Sequence, residues 1–246
     1  MTTSLSRRRA LALAAASLAA PLCARAEEEP APVLLELFTS QGCANCPAAD
    51  KLLGELSQVP GIYAVSFNVD YWDYLGWRDT LARPEFSQRQ FDYGKSRGDM
   101  KAYTPQAVIN GRYHVAGNNR AEIERLVAQA RAETQLIPMT LVARQDDFTV
   151  EMAAAELQSP ATLWLMAISP KKEQLIERGE NAGNTITYNN VVRNLVPAAM
   201  WEGKPFSQMW RKDAVLTGDC TGCLAILQQG KTGPVIGIAD WGSTFS

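Results

Sequence analysis

The sequence predicts an α/β domain at residues 27–137, followed by a mostly antiparallel, sandwich-like β domain at residues 138–246. In the first part, apolar runs of strand length alternate with segments of helical period, which is typical of βαβ architecture. After Pro138 helical periodicity is scarce, and short apolar runs follow one another between turns. A chain of 246 residues is long enough for two modest domains.

The first domain begins with a nearly continuous apolar run at residues 33–38, which suits a central strand buried on both faces. Pro47 fits the first turn of a helix, where its missing N–H costs no hydrogen bond. Residues 62–69 form the next strand, so the unit is strand–helix–strand with the two strands parallel.

The rest of the first domain comprises, in order, an aromatic loop at residues 70–77, a helix at 84–95, strands at 107–109 and 113–115, and a helix at 120–133. Asn110 and Gly111 suit a two-residue primed turn between the last two strands. The order β-α-β-α-β-β-α is that of a thioredoxin fold with a helical insertion.

The second domain is predicted from apolar runs of strand length, which favour a small β sandwich. They lie at residues 139–143, 148–153, 162–168, 185–195, 224–227 and 235–239.

The N-terminus has the features of a cleaved export signal at residues 1–26. Arginines at residues 7–9 precede a short apolar stretch at residues 11–20, and a small-x-small cleavage site follows at residues 24–26. The arginines fit both the general secretory (Sec) signal and the twin-arginine signal. We therefore expect a periplasmic or secreted protein that loses Cys23 with its signal peptide.

Composition excludes several classes of function. The formal net charge of -2 gives no basic excess for binding nucleic acid. After the N-terminal segment no apolar run approaches the roughly 18 residues that span a membrane, so we expect no membrane span in the mature form. No phosphate loop or nucleotide fingerprint is present, and we expect no cofactor.

The first of two C-x-x-C pairs, Cys43 and Cys46, follows the apolar strand and opens the helix that carries Pro47. At a helix N-terminus the backbone N–H groups and the helix dipole stabilise a thiolate, and only a thiolate attacks a disulfide. We therefore predict a redox-active pair in which Cys43 is the exposed nucleophile and Cys46 the resolving thiol. The alternative is a pair that only closes a loop.

Thr104 and Pro105 stand just before the predicted strand at residues 107–109. In thioredoxin-like proteins a cis-proline at this point faces the dithiol, and the backbone before it pairs with a substrate chain. We predict a cis bond and a substrate-binding role here. An ordinary trans proline is the alternative.

Several separated motifs occur in order along the chain. They lie at residues 36–50 (ELFTSQGCxxCPxxD), 70–77 (DYWDYLGW) and 103–106 (YTPQ), with further matching stretches at 178–181 (RGEN) and 190–193 (NVVR). Together they resemble a family of secreted bacterial thioredoxin-like proteins of unknown function. The resemblance implies a thioredoxin fold with an appended β domain, and it supplies no substrate. Gly42 stands where thioredoxin has a tryptophan, and Ala44 and Asn45 replace its Gly-Pro, so the direction of electron transfer is left open.

The aromatic loop has two interpretations. Trp72 and Trp77 either form a substrate-binding rim beside Cys43 or pack as a local core. In the same loop, Asp70 or Asp73 is a candidate proton acceptor for the resolving cysteine.

The second pair, Cys220 and Cys223, is predicted to form a second disulfide, which is either structural or redox-active. In the redox-active case it exchanges electrons with the first pair. All four thiolates together have the ligand set of a zinc site, and cysteines with the single histidine, His114, have that of a Cu(I) site. We assign no residue to a metal.

These features predict an exported thiol-disulfide oxidoreductase that acts through a C-x-x-C dithiol on protein or small-thiol substrates. Its partners are a thiol or disulfide substrate and an electron donor, for which a membrane-bound protein is a candidate. Two other classes stay open: a Cu(I)- or zinc-handling protein, and a non-catalytic binding module with structural disulfides.

Overall fold

The computed structural model describes residues 30–242, so the predicted export signal at residues 1–26 lies outside the described residues. The fold is mixed α/β, with one large, mostly antiparallel sheet and one small sheet. The strands are β1 (Val33–Thr39), β2 (Ile62–Asn68), β3 (Gln106–Ile109), β4 (Tyr113–Ala116), β5 (Met139–Ala143), β6 (Asp147–Met152), β7 (Ala161–Leu175), β8 (Thr185–Trp201), β9 (Phe206–Arg211), β10 (Gly222–Gln229) and β11 (Val235–Trp241). The helices are α1 (Cys46–Leu56), α2 (Pro84–Arg97), α3 (Arg120–Glu133) and the short α4 (Lys212–Val215), with a 3-10 turn at Asp73–Leu75.

The large sheet has the strand order β4-β3-β1-β2-β8-β7-β10-β11. Strand β1 is parallel to β2, and β2 is parallel to β8 through the pair Ser66 and Val191. All other neighbours in this sheet are antiparallel. One sheet therefore contains strands from both halves of the chain, and the domain boundary at residue 138 stays a prediction.

The helices cover the two faces of this sheet. Helices α1 and α3 pack on one face, while α2 packs on the other through Phe86 and Tyr93. Every residue of β1 is buried, as the continuous apolar run predicts. No helix within residues 30–242 is long and apolar enough to cross a membrane.

The small sheet has the order β5-β6-β9 and packs against β7 and β10. The large sheet in this packing also contains β1 to β4, so a separate sandwich-like β domain at residues 138–246 stays a prediction. The sequence missed β9 because most of its side chains are exposed and show no apolar alternation. It also missed the four-residue helix α4.

Strands β7 and β8 are much longer than predicted, at 15 and 17 residues. Their distal ends, together with the turn between them, form an extension that we call the β7–β8 arm (residues 170–190). The arm leaves the sheet at Asn190, which has a φ of 48° and whose side-chain amide donates to the carbonyl of Ala64 at 2.9 Å. It then runs beside α1, where Asn189 packs against Gly54.

Candidate functional site

The first C-x-x-C pair is a disulfide at the start of α1. Cys43 and Cys46 are bonded, with their Cα atoms 5.4 Å apart, which lies within the usual range for a disulfide. Cys46 is the first residue of the helix and Pro47 lies in its first turn, where it leaves no N–H unpaired. The first turn carries no acidic side chain. The helix N-terminus can therefore stabilise a thiolate that forms here on reduction, and no carboxylate in the first turn opposes this stabilisation.

The disulfide is covered. Cys43 is only 3% exposed and Cys46 is fully buried, although Ala44 and Asn45 between them are exposed. The prediction that Cys43 is exposed is therefore wrong for this oxidised form. The covering groups come from distant parts of the chain, which the local sequence does not reveal.

Trp72 covers one side of the site. Its Nε1 donates to Thr104 Oγ1 at 2.8 Å, and a Cβ on Gly42 would lie 3.0 Å from the Trp72 Cβ. Glycine before the first cysteine thus gives the tryptophan room to approach. The Thr104–Pro105 bond is cis, which confirms the sequence prediction. Trp72 therefore connects the loop before Cys43 with the segment that carries Pro105.

Trp77 contacts the loop before Cys43 at a different residue. Its Nε1 donates to Gln41 Oε1 at 2.8 Å, and its Cβ is 3.8 Å from where a Cβ on Gly179 of the arm would lie. Both tryptophans are half-buried, whereas Tyr74 is 78% exposed. The two tryptophans thus pack against the loop before Cys43, and their role in binding a substrate stays a prediction.

The β7–β8 arm supplies the remaining cover through Asn181. Its Nδ2 donates to the backbone carbonyls of Gln41 and Cys43, both at 2.9 Å. Asn181 is itself 4% exposed. Asn181 lies in the family-like stretch at residues 178–181, but its role could not be predicted, because a contact across 138 residues leaves no local signal.

Asp79 holds the loop that leads to Cys43 and was also missed. Its Oδ2 accepts from the backbone N–H of Gln41 at 2.8 Å and from Asn68 Nδ2 at 3.0 Å. Its Oδ1 accepts from the backbone N–H of Leu81 at 2.8 Å. Burial raises the pKa of Asp79, and these hydrogen bonds oppose the shift only in part. The carboxyl group fixes three segments around the disulfide.

A second buried acid lies on α1 itself. Asp50 is buried, with 1% of its surface exposed. Burial raises the pKa of Asp50 well above its usual range; the Thr39 hydroxyl opposes this shift and the charge of Asp79 adds to it. The buried Tyr188 of β8 lies close enough for both acids to raise its own pKa further, although burial is the main cause.

Asp70 and Asp73, the two acids of the aromatic loop that are candidate proton acceptors for Cys46, make hydrogen bonds with other segments. Asp70 accepts from Ser87 Oγ at 2.5 Å, and Asp73 accepts from the backbone N–H of Asp79 at 3.0 Å. The acid nearest to Cys46 along its own helix is Asp50.

The second C-x-x-C pair is present as two free thiols. Cys223 is buried in the core between the two sheets, and Cys220 is half-buried. Burial raises the pKa of the Cys223 thiol to about 12, with a smaller contribution from nearby Cys220. The pair is thus close together, and a second disulfide stays a prediction.

The candidate metal ligands do not assemble. Within residues 30–242, no three His, Cys, Asp or Glu side chains are grouped so that they could hold a metal ion. The ring of His114 instead contacts Tyr103 through Nδ1 and Asp99 through Nε2, both at 2.9 Å.

Comparison with known proteins identifies one family and similar solved structures. Residues 34–228 match a family described as a protein of unknown function, DUF1223. The solved structure of protein AGR_C_4864 from Agrobacterium tumefaciens is 27% identical, with a TM-score of 0.75 over 89% of this chain and 97% of that one. HBP35 of Porphyromonas gingivalis shares the fold at 12% identity, with a TM-score of 0.58 over 87% of this chain and 76% of that one. No curated protein matches the sequence.

Proposed function

The chain belongs to the DUF1223 family, and we propose that it is an exported thiol-disulfide oxidoreductase with a thioredoxin-like fold. The observation that carries the proposal is the Cys43–Cys46 disulfide at the N-terminus of α1. The parallel pair β1 and β2, joined by α1, and the later β3–β4 hairpin followed by α3 support the thioredoxin-like order.

The chemistry proceeds in two exchange steps. In the reduced protein, the Cys43 thiolate attacks one sulfur of a substrate disulfide, so that the Cys43–substrate S–S bond forms and the other substrate sulfur leaves as a thiolate. The Cys46 thiolate then attacks the Cys43 sulfur, which closes the protein disulfide and releases the second substrate thiolate. Two electrons pass from the protein to the substrate, and solvent supplies two protons to the leaving thiolates. The reverse sequence oxidises a substrate dithiol.

The reduction potential of the pair decides the direction. A reduction potential of about -120 mV is typical of a strong oxidase, and one of about -270 mV is typical of a reductase. In the reductase direction the protein needs a donor of electrons outside the cytoplasm, for which we propose a membrane-bound protein. Export itself rests on the sequence of residues 1–26.

Substrates of this site are a protein disulfide or a small thiol. We propose that Trp72, Trp77, Thr104 and Pro105 bind the substrate. Trp72 and Trp77 contact the loop that precedes the disulfide, Thr104 accepts a hydrogen bond from Trp72, and Pro105 follows Thr104 through a cis bond. For Cys220 and Cys223 we propose a structural disulfide in the exported protein. Formation of this disulfide would lower the mass of the peptide that carries both cysteines by two hydrogen atoms.

The test is disulfide exchange by the full chain with a protein substrate such as insulin. Cys43→Ser should abolish exchange, whereas Cys220→Ser should retain it, because only the first pair lies at a helix N-terminus. Exchange by the Cys43→Ser variant at the wild-type rate would show the assignment to be wrong.

One observation favours a second candidate, a non-catalytic binding module. Cys43 is 3% exposed, which suits a disulfide that only fastens the loop. This candidate predicts that Cys43 resists even a small alkylating reagent after mild reduction, whereas an oxidoreductase must react.

A further inference from the structure

The tip of the β7–β8 arm is held over the disulfide by a single buried side chain. All residues from 177 to 185 are exposed except Asn181, which is 4% exposed. Both of its short hydrogen bonds run to carbonyls of the loop before α1, including that of Cys43 itself. One side-chain amide therefore fastens the tip to the redox pair.

The base of the arm is fixed differently. Ile176, Ile186 and Tyr188 form an apolar cluster with Leu81, against which Trp77 packs. The base therefore has buried apolar contacts that the exposed tip lacks, and such contacts hold a segment in place more strongly than an exposed tip is held.

Two glycines flank the fastening residue. Gly179 has a φ of 83° and Gly183 a φ of 82°, conformations that glycine adopts without steric strain. The exposed tip thus has few buried contacts and two conformationally permissive positions, which are the features of a segment that opens locally.

We propose that Asn181 is a specificity-determining residue that latches the arm tip over Cys43. With the latch closed, a small thiol or alkylating reagent reaches Cys43, whereas a sulfur on a folded protein or a polymer does not. A protein disulfide then reacts only after the tip opens. The claim about protein substrates rests on the proposed function; the claim about access to Cys43 does not.

The experiment compares two thiol reagents of different size on the fully reduced, full-length protein. Iodoacetamide is the small probe and a maleimide carrying a polyethylene glycol chain is the large one. The rate at Cys43 is followed by tandem mass spectrometry of the peptide that carries both Cys43 and Cys46, because fragmentation between the two residues assigns the label to one of them. In the wild type, the ratio of the large-probe rate to the small-probe rate should lie well below that of the urea-unfolded chain.

Variants of the latch should restore access. Asn181→Ala should raise the large-probe rate at Cys43 by about tenfold, the size expected from the loss of one to two hydrogen bonds. Asn181→Asp should do the same, because a carboxylate facing two carbonyl oxygens cannot donate. Asn184→Ala is the matched control, since it alters an exposed asparagine of the same turn, and it should leave both rates unchanged.

The outcomes separate the claims. A wild-type ratio equal to that of the unfolded chain overturns the latch, and this measurement needs no variant that folds. An unchanged large-probe rate in both Asn181 variants also overturns it, provided that circular dichroism shows them folded. A latch confirmed by alkylation, together with no disulfide exchange, leaves the latch standing and removes the proposed function instead.

Discussion

Asp50 lies four residues after Cys46 in α1 and is buried, with the Thr39 hydroxyl beside its carboxyl group. Residues four apart on a helix lie on the same face, so this acid lies behind the disulfide. Because burial raises the pKa of Asp50 well above its usual range, the group retains a proton at pH values where an exposed aspartate has lost it. The covered redox pair thus has an acidic group on its own helix.

The Asp50→Asn variant should separate from the wild type in stability as the pH rises. In the unfolded chain the carboxyl group loses its proton at about pH 3.9, whereas in the folded chain it retains it. The folded state therefore binds more protons than the unfolded state above that pH. Wild-type stability should then fall by about 1.4 kcal/mol per pH unit until the folded group also ionises. The Asp50→Asn variant lacks this loss, because an amide does not titrate.

Urea unfolding of both proteins between pH 3.5 and 7.5 measures the difference. We expect a difference in the free energy of unfolding that increases with pH in favour of Asp50→Asn. Glu156→Gln, at an exposed site, should show no such trend. A difference that is independent of pH for Asp50→Asn would contradict the account of this acid.

The buried ion pair of Glu36 and Arg89 should be required for stability. Arg89 Nε donates to Glu36 Oε1 at 2.7 Å, the side chains are 2% and 0% exposed, and Tyr93 also donates to the carboxylate. Removing one partner leaves a buried charge, so Arg89→Met should cost about 3–5 kcal/mol. Urea unfolding measures this cost.

An exposed pair gives the matched control. Arg83 and Glu85 are 3.2 Å apart, with side chains 38% and 48% exposed, so Arg83→Met should cost less than about 1 kcal/mol. Equal losses from the two variants would show that burial of the Glu36–Arg89 pair has no energetic role.

The hydrogen bond from Trp72 to Thr104 should appear as a coupling energy. Trp72→Phe and Thr104→Val each remove it and should each lower the free energy of unfolding by about 1 kcal/mol. The double variant should lose less than the sum of the two, because the bond can be lost only once. Trp77→Phe removes a bond to a different residue and should add to Thr104→Val; additivity in both pairs would argue against the Trp72 contact.

The sequence predicted those elements whose formation depends on neighbouring residues. The apolar run gave β1, the primed-turn pair Asn110 and Gly111 has the predicted positive φ values, and the helical period gave α3 at the observed bounds. The C-x-x-C spacing located the disulfide. These features depend on neighbouring residues, which a single sequence displays.

The cover of the site could not be predicted in the same way. Asp79 and Asn181 act through hydrogen bonds to the loop before α1 across 38 and 138 residues or more, and polar residues of this kind are common in turns. The length of the β7–β8 arm was missed because its strands carry many exposed polar side chains. Burial of Cys43 follows from these long-range contacts and contradicts the expectation from the motif alone.

The most direct test of the central claim is trapping of the mixed disulfide. In a Cys46→Ser variant the second exchange step is blocked, so a substrate disulfide should remain attached to Cys43 and appear as an added mass on its peptide. The account predicts this adduct in Cys46→Ser, its release by a reducing agent, and its absence when Cys43 is also replaced by serine. No adduct at Cys43 in the folded Cys46→Ser protein, under conditions where iodoacetamide modifies Cys43, would contradict the proposal that this pair exchanges disulfides.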